Sequence, residues 1–543
     1  MTAVGLAQLG HRVFCVDVPE KIEALGAEIE ERGEPKLFEP GFAAEFAEVS
    51  SLLTLTDDYG EALGAADLVV VAVGTPPAER ADPDPIQSFH GSYLAYVAEA
   101  LDTAVDAGLS DRHILVMKST VPAGTSRLMT SRVEARLRRR DGGDPAPVRW
   151  VSCPEFLREG TALEDFRRPD RIVIGSEDPA AGDRVAALFA PLDARVVRMD
   201  TTSAEMVKLG ANGLLAAKIT FANELANLCD LAGADVEVVT AAIGREPDIG
   251  KDFLRPGVGF GGSCFPKDVR ALRELARDFD ESPALLDAVL QVNARQTRRA
   301  VEKLEEHLGS LDGKEIAVLG LAFKPNTNDV REALSVPIMQ QLAELGARVR
   351  AYDPHVATVK DLKDAGLASN PHVSVVTSVD ACVEGADGLV LVTEWKEFGA
   401  LDWPALREKT RENVVVDGRC ALEPDAVRAA GFVYDGVGRR VRGGHSEAAL
   451  SSDEIGELIA EAADAYRAVK ATFGGEVSSL CQKCGADPMA VARGIGLDHR
   501  LGEDHLIDAR PGRYTHAVQA LIRRARDLGY TFELVEAVEP AAA

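Results

Sequence analysis

A glycine-rich segment with one cysteine and two charged side chains is where this sequence most directly suggests chemistry. Residues 257–268 read Gly-Val-Gly-Phe-Gly-Gly-Ser-Cys-Phe-Pro-Lys-Asp, with four glycines within six positions before Cys264. Glycines let the backbone pass unusually close to another group. Lys267 favours a reactive thiolate at Cys264, and Asp268 could accept a proton or hold a water molecule. The alternative is a glycine-rich surface turn with a buried structural cysteine.

The composition indicates a protein of several domains. At 543 residues the chain is too long for one hydrophobic core, which predicts three or four domains. The net charge of −27 disfavours a nucleic-acid surface. No apolar run approaches the roughly 18 residues that cross a bilayer, and no signal segment opens the chain. The eight cysteines show no spacing typical of a disulfide framework, which predicts a cytoplasmic protein. They also form no complete set of metal ligands, so no bound metal is expected.

The elements that must position these residues alternate between short apolar strands and helical segments. Strands are predicted at 12–17, 68–73 and 114–117, and the last two run into Thr-Pro turns. This alternation predicts a parallel doubly wound sheet, which binds ligands at the carboxyl ends of its strands. Helical patterns at 203–232 and 283–307 predict a helical middle section. A second α/β series follows, with strands predicted at 315–319, 348–352, 388–392 and 413–416.

The predicted fold therefore has two Rossmann-like doubly wound parallel sheets, joined by a long-helix central domain and followed by a C-terminal helical domain. The predicted ranges are 1–200 for the first α/β domain, 201–305 for the central domain with the Cys264 loop, 306–440 for the second α/β domain, 441–455 for a linker and 456–543 for the C-terminal domain.

The first α/β domain departs from a complete dinucleotide-binding fold. An acidic residue that ends the second strand normally follows a G-x-G-x-x-G turn by about 20 residues, and Asp17 occupies that place. No strand or glycine turn precedes it, because Gly5 to Gly10 fall inside the helix that the turn should open. The first strand and the pyrophosphate-binding turn are missing from this sequence. We therefore expect either a start upstream of Met1 or a loss of dinucleotide binding, with Asp17 left as a turn former.

The C-terminal domain is predicted to be a second copy of the central one. Residues 217–235 read AKITFANELANLCDLAGAD and residues 469–487 read VKATFGGEVSSLCQKCGAD, with nine of 19 positions identical at an offset of 252. The same offset continues without a gap to Gly250 and Gly502, as expected of a repeat. The second copy lacks the reactive cysteine, since His516 corresponds to Cys264.

Several motifs in the same order resemble the UDP-glucose/GDP-mannose dehydrogenase family over about residues 2–440. They are Val73–Pro76, Ser119–Thr125, Pro154–Gly160, Pro169–Gly175, Lys208–Asn212, the Cys264 loop, Gly320–Pro325 and Asp329–Glu332. The resemblance implies an NAD-binding first domain, a UDP-sugar-binding second α/β domain and a role in polysaccharide biosynthesis. The implied reaction oxidises a nucleotide-sugar alcohol to a carboxylate in two hydride transfers. UDP-glucose is the first expected substrate, with GDP-mannose or another UDP-sugar as alternatives.

The residues support that chemistry, because a thiolate can add to an aldehyde, lose hydride to form a thioester and release the acid on hydrolysis. By resemblance, the catalytic candidates are Cys264, Lys208, Asn212, Asp268, Thr120 and Glu155. The substrate-binding candidates are Glu155, Phe156, Leu157, Arg158, Glu159, Lys208, Asn212, Phe253, Phe260, Gly261, Phe323, Lys324, Arg419 and Arg500. The NAD-binding candidates are Asp17, Thr75, Thr120, Glu159, Lys267 and Arg331.

One departure concerns an arginine that, in this family, reaches the partner subunit's active site from shortly before the cysteine loop. The present sequence has Asp248 there, whereas Arg500 stands at the corresponding position of the repeat. We expect residues 456–543 to pack on residues 203–300 of the same chain as an internal pseudo-dimer, with Arg500 directed at the sugar near Cys264. The alternatives are a homodimer or a cap with a solvent-exposed arginine. A second hypothesis is a non-catalytic nucleotide-sugar-binding descendant that acts in assembly or regulation.

Overall fold

The computed structural model describes most of the chain, namely residues 1–32, 38–75, 85–358, 362, 367, 370–439, 450–506 and 511–538, without the side chains of 85–93 and 511. The chain divides into two compact units. The first comprises Met1–Ala211, Ala271–Ser282 and Glu476–Glu503, and the second comprises Asn212–Arg270, Pro283–Gly475 and Asp504–Ala543.

The N-terminal part of the first unit alternates strands and helices. Its strands are β1 (Val13–Val16), β2 (Leu53–Thr56), β3 (Leu68–Val71), β4 (Ile114–Met117), β5 (Arg149–Ser152), β6 (Ile172–Gly175) and β7 (Val196–Met199). Its helices are α1 (Thr2–Gln8), α2 (Pro19–Arg32), α3 (Phe42–Val49), α4 (Tyr59–Ala65), α5 (Pro85–Asp106), α6 (Thr125–Asp141), α7 (Ala162–Arg167) and α8 (Pro179–Leu188). β4 is buried along its whole length, as its unbroken apolar sequence predicts for a strand covered on both faces.

These strands form two separate sheets. β1 pairs in parallel with β2, and the other sheet has the order β3-β4-β5-β6-β7, parallel except for one antiparallel pair between β5 and β6. Among the described residues no strand pairing joins β1 to β3. Val13 of β1 and Leu68 of β3 nevertheless pack against the same buried apolar cluster.

Four helices form the central section: α9 (Thr201–Ala232), α10 (Val236–Ile243), α11 (Phe265–Asp278) and α12 (Ala284–Leu308). The first 11 residues of α9 belong to the first unit and the other 21 to the second. α10 begins where the Asp235 carboxylate accepts the backbone N–H of Glu237, a standard N-cap arrangement.

A complete α/β domain follows in the second unit. Its strands are β8 (Glu315–Leu319), β9 (Arg348–Tyr352), β10 (Val373–Val375), β11 (Gly388–Leu391), β12 (Val414–Asp417) and β13 (Val433–Gly436). Its helices are α13 (Ser335–Glu344), α14 (Val379–Val383), α15 (Lys396–Gly399), α16 (Trp403–Lys409) and α17 (Pro424–Ala429). The six strands are parallel in the order β10-β9-β8-β11-β12-β13, which is the 3-2-1-4-5-6 order of a dinucleotide-binding fold.

This second sheet explains the split in the first one. The first domain can be compared with the 3-2-1-4-5-6 strand order of the second sheet. In that order, β2 and β1 take the places of strands 3 and 2, and β3, β4 and β5 take the places of strands 4, 5 and 6. In this order, the place between β1 and β3 is that of strand 1, and the element that precedes β1 here is α1. The predicted fold class, two doubly wound parallel sheets with a helical central domain, is confirmed.

The C-terminal helices are α18 (Ser452–Cys484), α19 (Pro488–Gly496), α20 (Thr515–Asp527) and α21 (Glu533–Glu536). α18 begins before residue 456, so residues 452–455 are helical and not a linker. The cause is a capping box in which Ser451 N–H donates to Glu454 at 2.8 Å and Glu454 N–H donates to Ser451 Oγ at 3.4 Å. Residues 441–449 of the predicted linker lie outside the described residues.

The C-terminal helices pack on α9 of the same chain in the second unit. The Phe221 ring lies 5.4 Å from the Tyr466 ring and 5.6 Å from the Phe532 ring. The carboxylate of Glu224 accepts the first two backbone N–H groups of α21 at 2.9 and 2.8 Å. Apolar and polar contacts therefore fix these helices against the central section.

The first unit shows the same close packing between α9 and α19. A Cβ at Gly210 would lie 2.6 Å from Cδ1 of Ile495, and a Cβ at Gly494 would lie 2.6 Å from Cγ2 of Val207. Both distances are shorter than a carbon–carbon contact allows, so the two helices approach this closely because each carries glycine at the crossing.

Asp248 joins the loop after α10 to α18. Its carboxylate accepts Nε and Nη2 of Arg467 at 2.6 and 3.0 Å, and His505 Nε2 lies 2.9 Å from it. Hydrogen bonds from Arg467 are the main cause that lowers the pKa of Asp248 to about 2. Asp248, which stands where the resemblance implies an arginine, thus pairs with Arg467 and His505 of the repeat.

We expect Glu224 to make stability depend on pH. Burial raises its pKa to about 8 from an ordinary 4.5, although the backbone donors of α21 and Tyr530 favour the charged form. The folded state therefore keeps a proton that the unfolded state has lost, and this stabilisation is complete below pH 4.5 and lost as the pH rises to about 8.

Urea unfolding between about pH 5 and pH 8 measures this effect, since one such group changes the free energy of unfolding by at most about 1.4 kcal/mol per pH unit. The Glu224→Gln variant should show a shallower fall with pH than the wild type. The exposed-site variant Glu23→Gln should keep the wild-type slope. An unchanged slope in Glu224→Gln would show that this carboxyl does not titrate in that range.

Candidate active site

The glycine-rich loop of the second unit needs glycine because other groups crowd its backbone. A Cβ at Gly261 would overlap the carbonyl oxygen of Glu332. Gly262 has φ of 83°, and a Cβ there would lie 2.6 Å from the Phe323 ring. The loop is also fixed by the Val258 N–H, which donates to the Gly418 carbonyl at 2.9 Å.

Side-chain amides hold the loop at two further points. Asn293 accepts the Phe260 N–H at 2.8 Å and donates to the Phe260 carbonyl at 2.9 Å. Asn223 accepts the Gly257 N–H at 2.8 Å, and Gln296 donates to the Gly257 carbonyl at 2.9 Å. These three amides were not among the predicted site residues, because nothing in their helical spacing shows that they face a loop.

The loop presents Cys264 to solvent at the start of α11. Its thiol is exposed, with Ser263 Oγ 3.7 Å from Sγ, whereas the other seven cysteines of the chain are buried or half-buried. The positive end of a helix favours a negatively charged group at this position. The buried structural cysteine that the sequence left as an alternative is therefore wrong.

Asp268 lies one turn further along α11 and binds two predicted site residues. Its oxygens accept Nδ2 of Asn212 at 2.6 Å and Nζ of Lys267 at 2.6 Å, and its side chain is almost fully buried. The carboxylate thus orients the Asn212 amide. Each carboxylate oxygen can accept more than one hydrogen bond, so Asp268 can also hold a water molecule.

Other predicted substrate-binding residues of the second unit surround the loop. Arg419 donates to the Gly259 carbonyl at 3.0 Å. The rings of Phe253 and Phe260 pack edge-on against Phe265 at 6.0 and 6.1 Å. These contacts bring predicted residues to both sides of the loop.

Two predicted basic residues of the second unit lie near the Phe323 segment. The Lys324 ammonium lies 5.3 Å from the centre of the Phe323 ring. Arg331 is largely exposed and binds both oxygens of Asp329 at 2.7 to 3.0 Å. Its predicted NAD contact would have to compete with this ion pair.

In the first unit, Phe156 is the centre of a cationic cluster. Arg171 stacks on its ring at 4.3 Å, and Lys208 Nζ lies 5.3 Å from the ring centre. Asp498 lies 3.3 Å from Arg171 and accepts Nε and Nη2 of Arg500 at 2.6 and 2.5 Å. The structure therefore brings the arginine of the repeat together with two predicted substrate-binding residues.

Asp498 and Arg171 are almost fully buried and were not predicted. Burial acts to raise the pKa of Asp498, but hydrogen bonds and charge from Arg500, with the charge of Arg171, lower it to about 2. A buried arginine requires a paired carboxylate, and here the partner comes from the repeat. Arg171 lies within a recognised motif, whereas its pairing with Asp498 depends on tertiary contact alone.

Glu155 organises the turn after β5. Oε1 accepts the N–H groups of Phe156 and Leu157 at 2.8 and 2.9 Å, and Oε2 accepts Thr2 Oγ1 at 3.0 Å and lies 3.3 Å from Lys118. Burial acts to raise its pKa, yet the charge of Lys118 and the donated hydrogen bonds leave it lowered. The carboxylate thus stays ionised and holds the Phe156 backbone in place.

The next residues of this segment point in different directions. Leu157 packs against a buried apolar cluster, and Glu159 is half-buried. Arg158 is exposed and forms a two-pronged ion pair with Asp165 at 2.9 and 2.5 Å. A contact between Arg158 and a substrate would have to displace that carboxylate.

The predicted NAD-binding residues of the first unit lie at the carboxyl ends of strands. Asp17 directly follows β1, Thr75 follows β3 and Thr120 follows β4. Thr75 Oγ1 donates to the Thr120 carbonyl at 2.9 Å, so these two residues are neighbours. Asp17 is exposed and paired with Lys21 at 3.1 Å. Ligands of doubly wound sheets bind at this edge.

Sequence models of one family match nearly all of the described chain. Its NAD-binding domain matches residues 1–193, its central domain matches both 202–295 and 454–541, and its UDP-binding domain matches 317–424. The chain belongs to the UDP-glucose/GDP-mannose dehydrogenase family. The double match of the central domain agrees with the internal repeat.

Individual relatives agree with this assignment. The chain is 40% identical over 465 residues to a UDP-glucose 6-dehydrogenase of Pseudomonas aeruginosa, covering 83% of this chain and 97% of the relative. It is 38% identical over 441 residues to UDP-glucose 6-dehydrogenase TuaD of Bacillus subtilis, covering 80% and 90%. A solved UDP-glucose dehydrogenase structure from Pyrobaculum islandicum has 38% identity and a TM-score of 0.69, covering 80% and 94%.

Family membership makes the chain an NAD-dependent nucleotide-sugar dehydrogenase. Within the described residues, no helix has the length and apolar character needed to span a membrane. The residues present fit NAD in part: the acid after β1 suits a ribose hydroxyl pair, and the threonines after β3 and β4 lie at the ligand-binding edge. Residues 1–17 contain no G-x-G-x-x-G turn, the segment whose backbone donors bind the pyrophosphate in such folds.

Proposed function

We propose that the chain oxidises the primary alcohol of UDP-glucose to the carboxylate of UDP-glucuronate through a covalent intermediate on Cys264. The observation that carries the proposal is the exposed Cys264 thiol at the start of α11, one turn before the buried pair of Asp268 and Asn212. The relatives named as UDP-glucose 6-dehydrogenases support the choice of substrate. GDP-mannose and other UDP-sugars remain the alternative substrates.

The chemistry explains why a thiol is needed. Loss of a proton and a hydride converts the alcohol into an aldehyde, which has no further hydride to lose easily. Addition of the Cys264 thiolate forms a carbon–sulfur bond and a thiohemiacetal, whose carbon can give up a second hydride to become a thioester. Water then attacks the thioester, the carbon–sulfur bond breaks and the acid is released. NAD, when bound, would accept one hydride, so the two oxidation steps would use two NAD molecules in succession.

The other candidate residues have distinct roles in this proposal. Lys208 and Asn212 stabilise negative charge on the substrate oxygen as the tetrahedral intermediates form. Asp268 orients the Asn212 amide and holds the hydrolytic water. Glu155 fixes the backbone that carries Phe156, and Thr120 assists as a hydrogen-bonding group. Asp17, Thr75, Thr120, Glu159, Lys267 and Arg331 are the residues proposed to contact NAD.

The turnover stoichiometry tests this mechanism. With NAD at millimolar concentration, about two NADH should form per UDP-glucose, and UDP-glucuronate should be the product. The Cys264→Ser variant should bind UDP-glucose normally and lose at least about a hundredfold in kcat, because serine is a far weaker nucleophile. The Cys484→Ser variant, a cysteine of α18, is the matched control. A product that stops at the aldehyde, or full activity of Cys264→Ser, would contradict the mechanism.

We also propose that the repeat makes the chain an internal pseudo-dimer in which Arg500 serves the substrate. Two features support this: the C-terminal helices pack on α9 of the same chain, and Arg500 is held by Asp498 beside Arg171 and Phe156. The corresponding Asp248 of the first copy is committed instead to Arg467. The two copies would then divide one role, with docking at Asp248 and substrate binding at Arg500.

Substitution of Arg500 tests this second proposal. Loss of a charged hydrogen-bond donor to substrate should lower kcat/KM for UDP-glucose by roughly ten- to a hundredfold in Arg500→Ala. Arg500→Lys should keep only part of the wild-type kcat/KM, because lysine cannot form a two-pronged contact. The exposed Arg493 of α19 gives the control variant Arg493→Ala. Unchanged kinetics in Arg500→Ala would show that Arg500 only pairs with Asp498.

A further inference from the structure

A chain of side-chain hydrogen bonds in the second unit connects the cysteine loop to the C-terminal repeat. Gln296 Nε2 donates to the Gly257 carbonyl at 2.9 Å, and Asn227 Nδ2 donates to Gln296 Oε1 at 3.0 Å. Asn227 Nδ2 also donates to the Tyr530 hydroxyl at 3.3 Å. Tyr530 follows α20 in the repeat, so this series of hydrogen bonds begins at the first glycine of the loop and ends in the second copy of the central domain.

The Gly257 carbonyl determines the direction of the two bonds that follow it through Gln296 and Asn227. The Gly257 carbonyl can only accept, so Gln296 must turn its nitrogen towards the loop and its oxygen towards Asn227. Asn227 must then present its nitrogen to both Gln296 and Tyr530. At the other end, the Tyr530 hydroxyl donates at 3.2 Å to the Glu224 oxygen that also accepts the first N–H of α21. The hydroxyl oxygen has two lone pairs, so it can also accept from Asn227.

Because both amides are buried, their orientation affects the stability of the hydrogen bonds to the loop. Gln296 is 1% exposed and Asn227 6% exposed, so neither amide can replace a lost partner with bulk water. A buried polar group that loses its partner keeps the full cost of its removal from water. If Gln296 turned over, its oxygen would face the Gly257 carbonyl, and if Asn227 turned over, its oxygen would face the Gln296 oxygen. Either change would replace a hydrogen bond by a repulsion between two acceptors.

We propose that Tyr530 is a positioning residue for the reaction at Cys264. Its hydroxyl fixes Asn227, Asn227 fixes Gln296, and Gln296 fixes the start of the loop that ends at the cysteine. The repeat thus sets the loop geometry, a role distinct from the proposed contact of Arg500 with substrate. The kinetic consequence rests on the proposed function, whereas the structural consequence for the loop does not.

The Tyr530→Phe variant tests the proposal, because it removes one oxygen and keeps the packing of the ring against Phe532. Amide hydrogen exchange of the loop peptide, residues 254–262, should become about two- to tenfold faster, the factor expected for one lost hydrogen bond. The kcat should fall by a similar factor of about two to ten while KM for UDP-glucose stays the same, since the hydroxyl does not contact substrate.

Two further variants make the result specific. Tyr514→Phe is the matched control, because the Tyr514 hydroxyl pairs with His505 and not with the loop network. It should leave loop exchange and kcat at wild-type values. Asn227→Asp replaces the donor by an acceptor of the same shape, so it should speed loop exchange with Tyr530 intact.

The exchange measurement separates this proposal from the proposed function. Faster loop exchange in both Tyr530→Phe and Asn227→Asp would support the positioning role even if the chain oxidised a different nucleotide sugar. Wild-type loop exchange in Tyr530→Phe, with only a lower unfolding temperature, would show that Tyr530 is merely structural and would overturn the proposal. A change in KM instead of kcat would likewise contradict it.

Discussion

The burial of α9 is the constraint on which the rest of this structure depends. All but two of its 32 residues are buried, including several with charged or amide side chains. A helix buried on every side needs neighbours on every side, and a polar side chain inside it needs a specific partner. The C-terminal helices of the same chain supply some of these neighbours, because Phe532 and Tyr466 pack around Phe221. They also supply polar partners, because the start of α21 donates to Glu224.

Polar residues of α9 also bind the segments that carry the candidate catalytic residues. Asn212 is held by Asp268 of the cysteine helix, and Asn223 holds the first glycine of the loop. Lys218 donates to the Ile249 carbonyl, which lies beside the Asp248 docking contact. A substitution at one of these positions would therefore change the geometry of the loop as well as stability. In this chain the repeat contributes to these polar contacts, because Arg467 binds Asp248.

Much of the fold followed from local sequence patterns. The strands at 114–117, 315–319 and 348–352 have the predicted bounds, because short apolar runs between helical segments have few other solutions. The break in the first sheet was implied by the missing glycine turn before Asp17. α18 begins at Ser452, inside the range predicted as a linker, and the capping box of Ser451 and Glu454 marks that start.

The site was less predictable, since its details depend on contacts between distant segments. The motifs and the resemblance they carry made Cys264, Asp268 and Asn212 candidates without showing that Asp268 binds Asn212. The resemblance also implied substrate roles for Glu155 and Arg158, whereas the structure pairs both with neighbouring groups. Asp498 and Tyr530 lie far along the chain from the groups they hold, and neither residue type signals such a partner in a sequence.

The central claim is that the repeat covers α9 of its own chain, and a disulfide between these helices tests it most directly. Gly210 and Ile495 face each other within the first unit, because a Cβ at Gly210 would lie 2.6 Å from Cδ1 of Ile495, so the Gly210→Cys, Ile495→Cys double variant places two thiols at facing positions of α9 and α19. After oxidation, non-reducing denaturing electrophoresis should show a single chain of 57.9 kDa, with thiol mapping confirming that the new bond joins the two introduced cysteines. A disulfide-linked dimer through the same two cysteines would mean that the repeat packs on a second chain and would contradict the account.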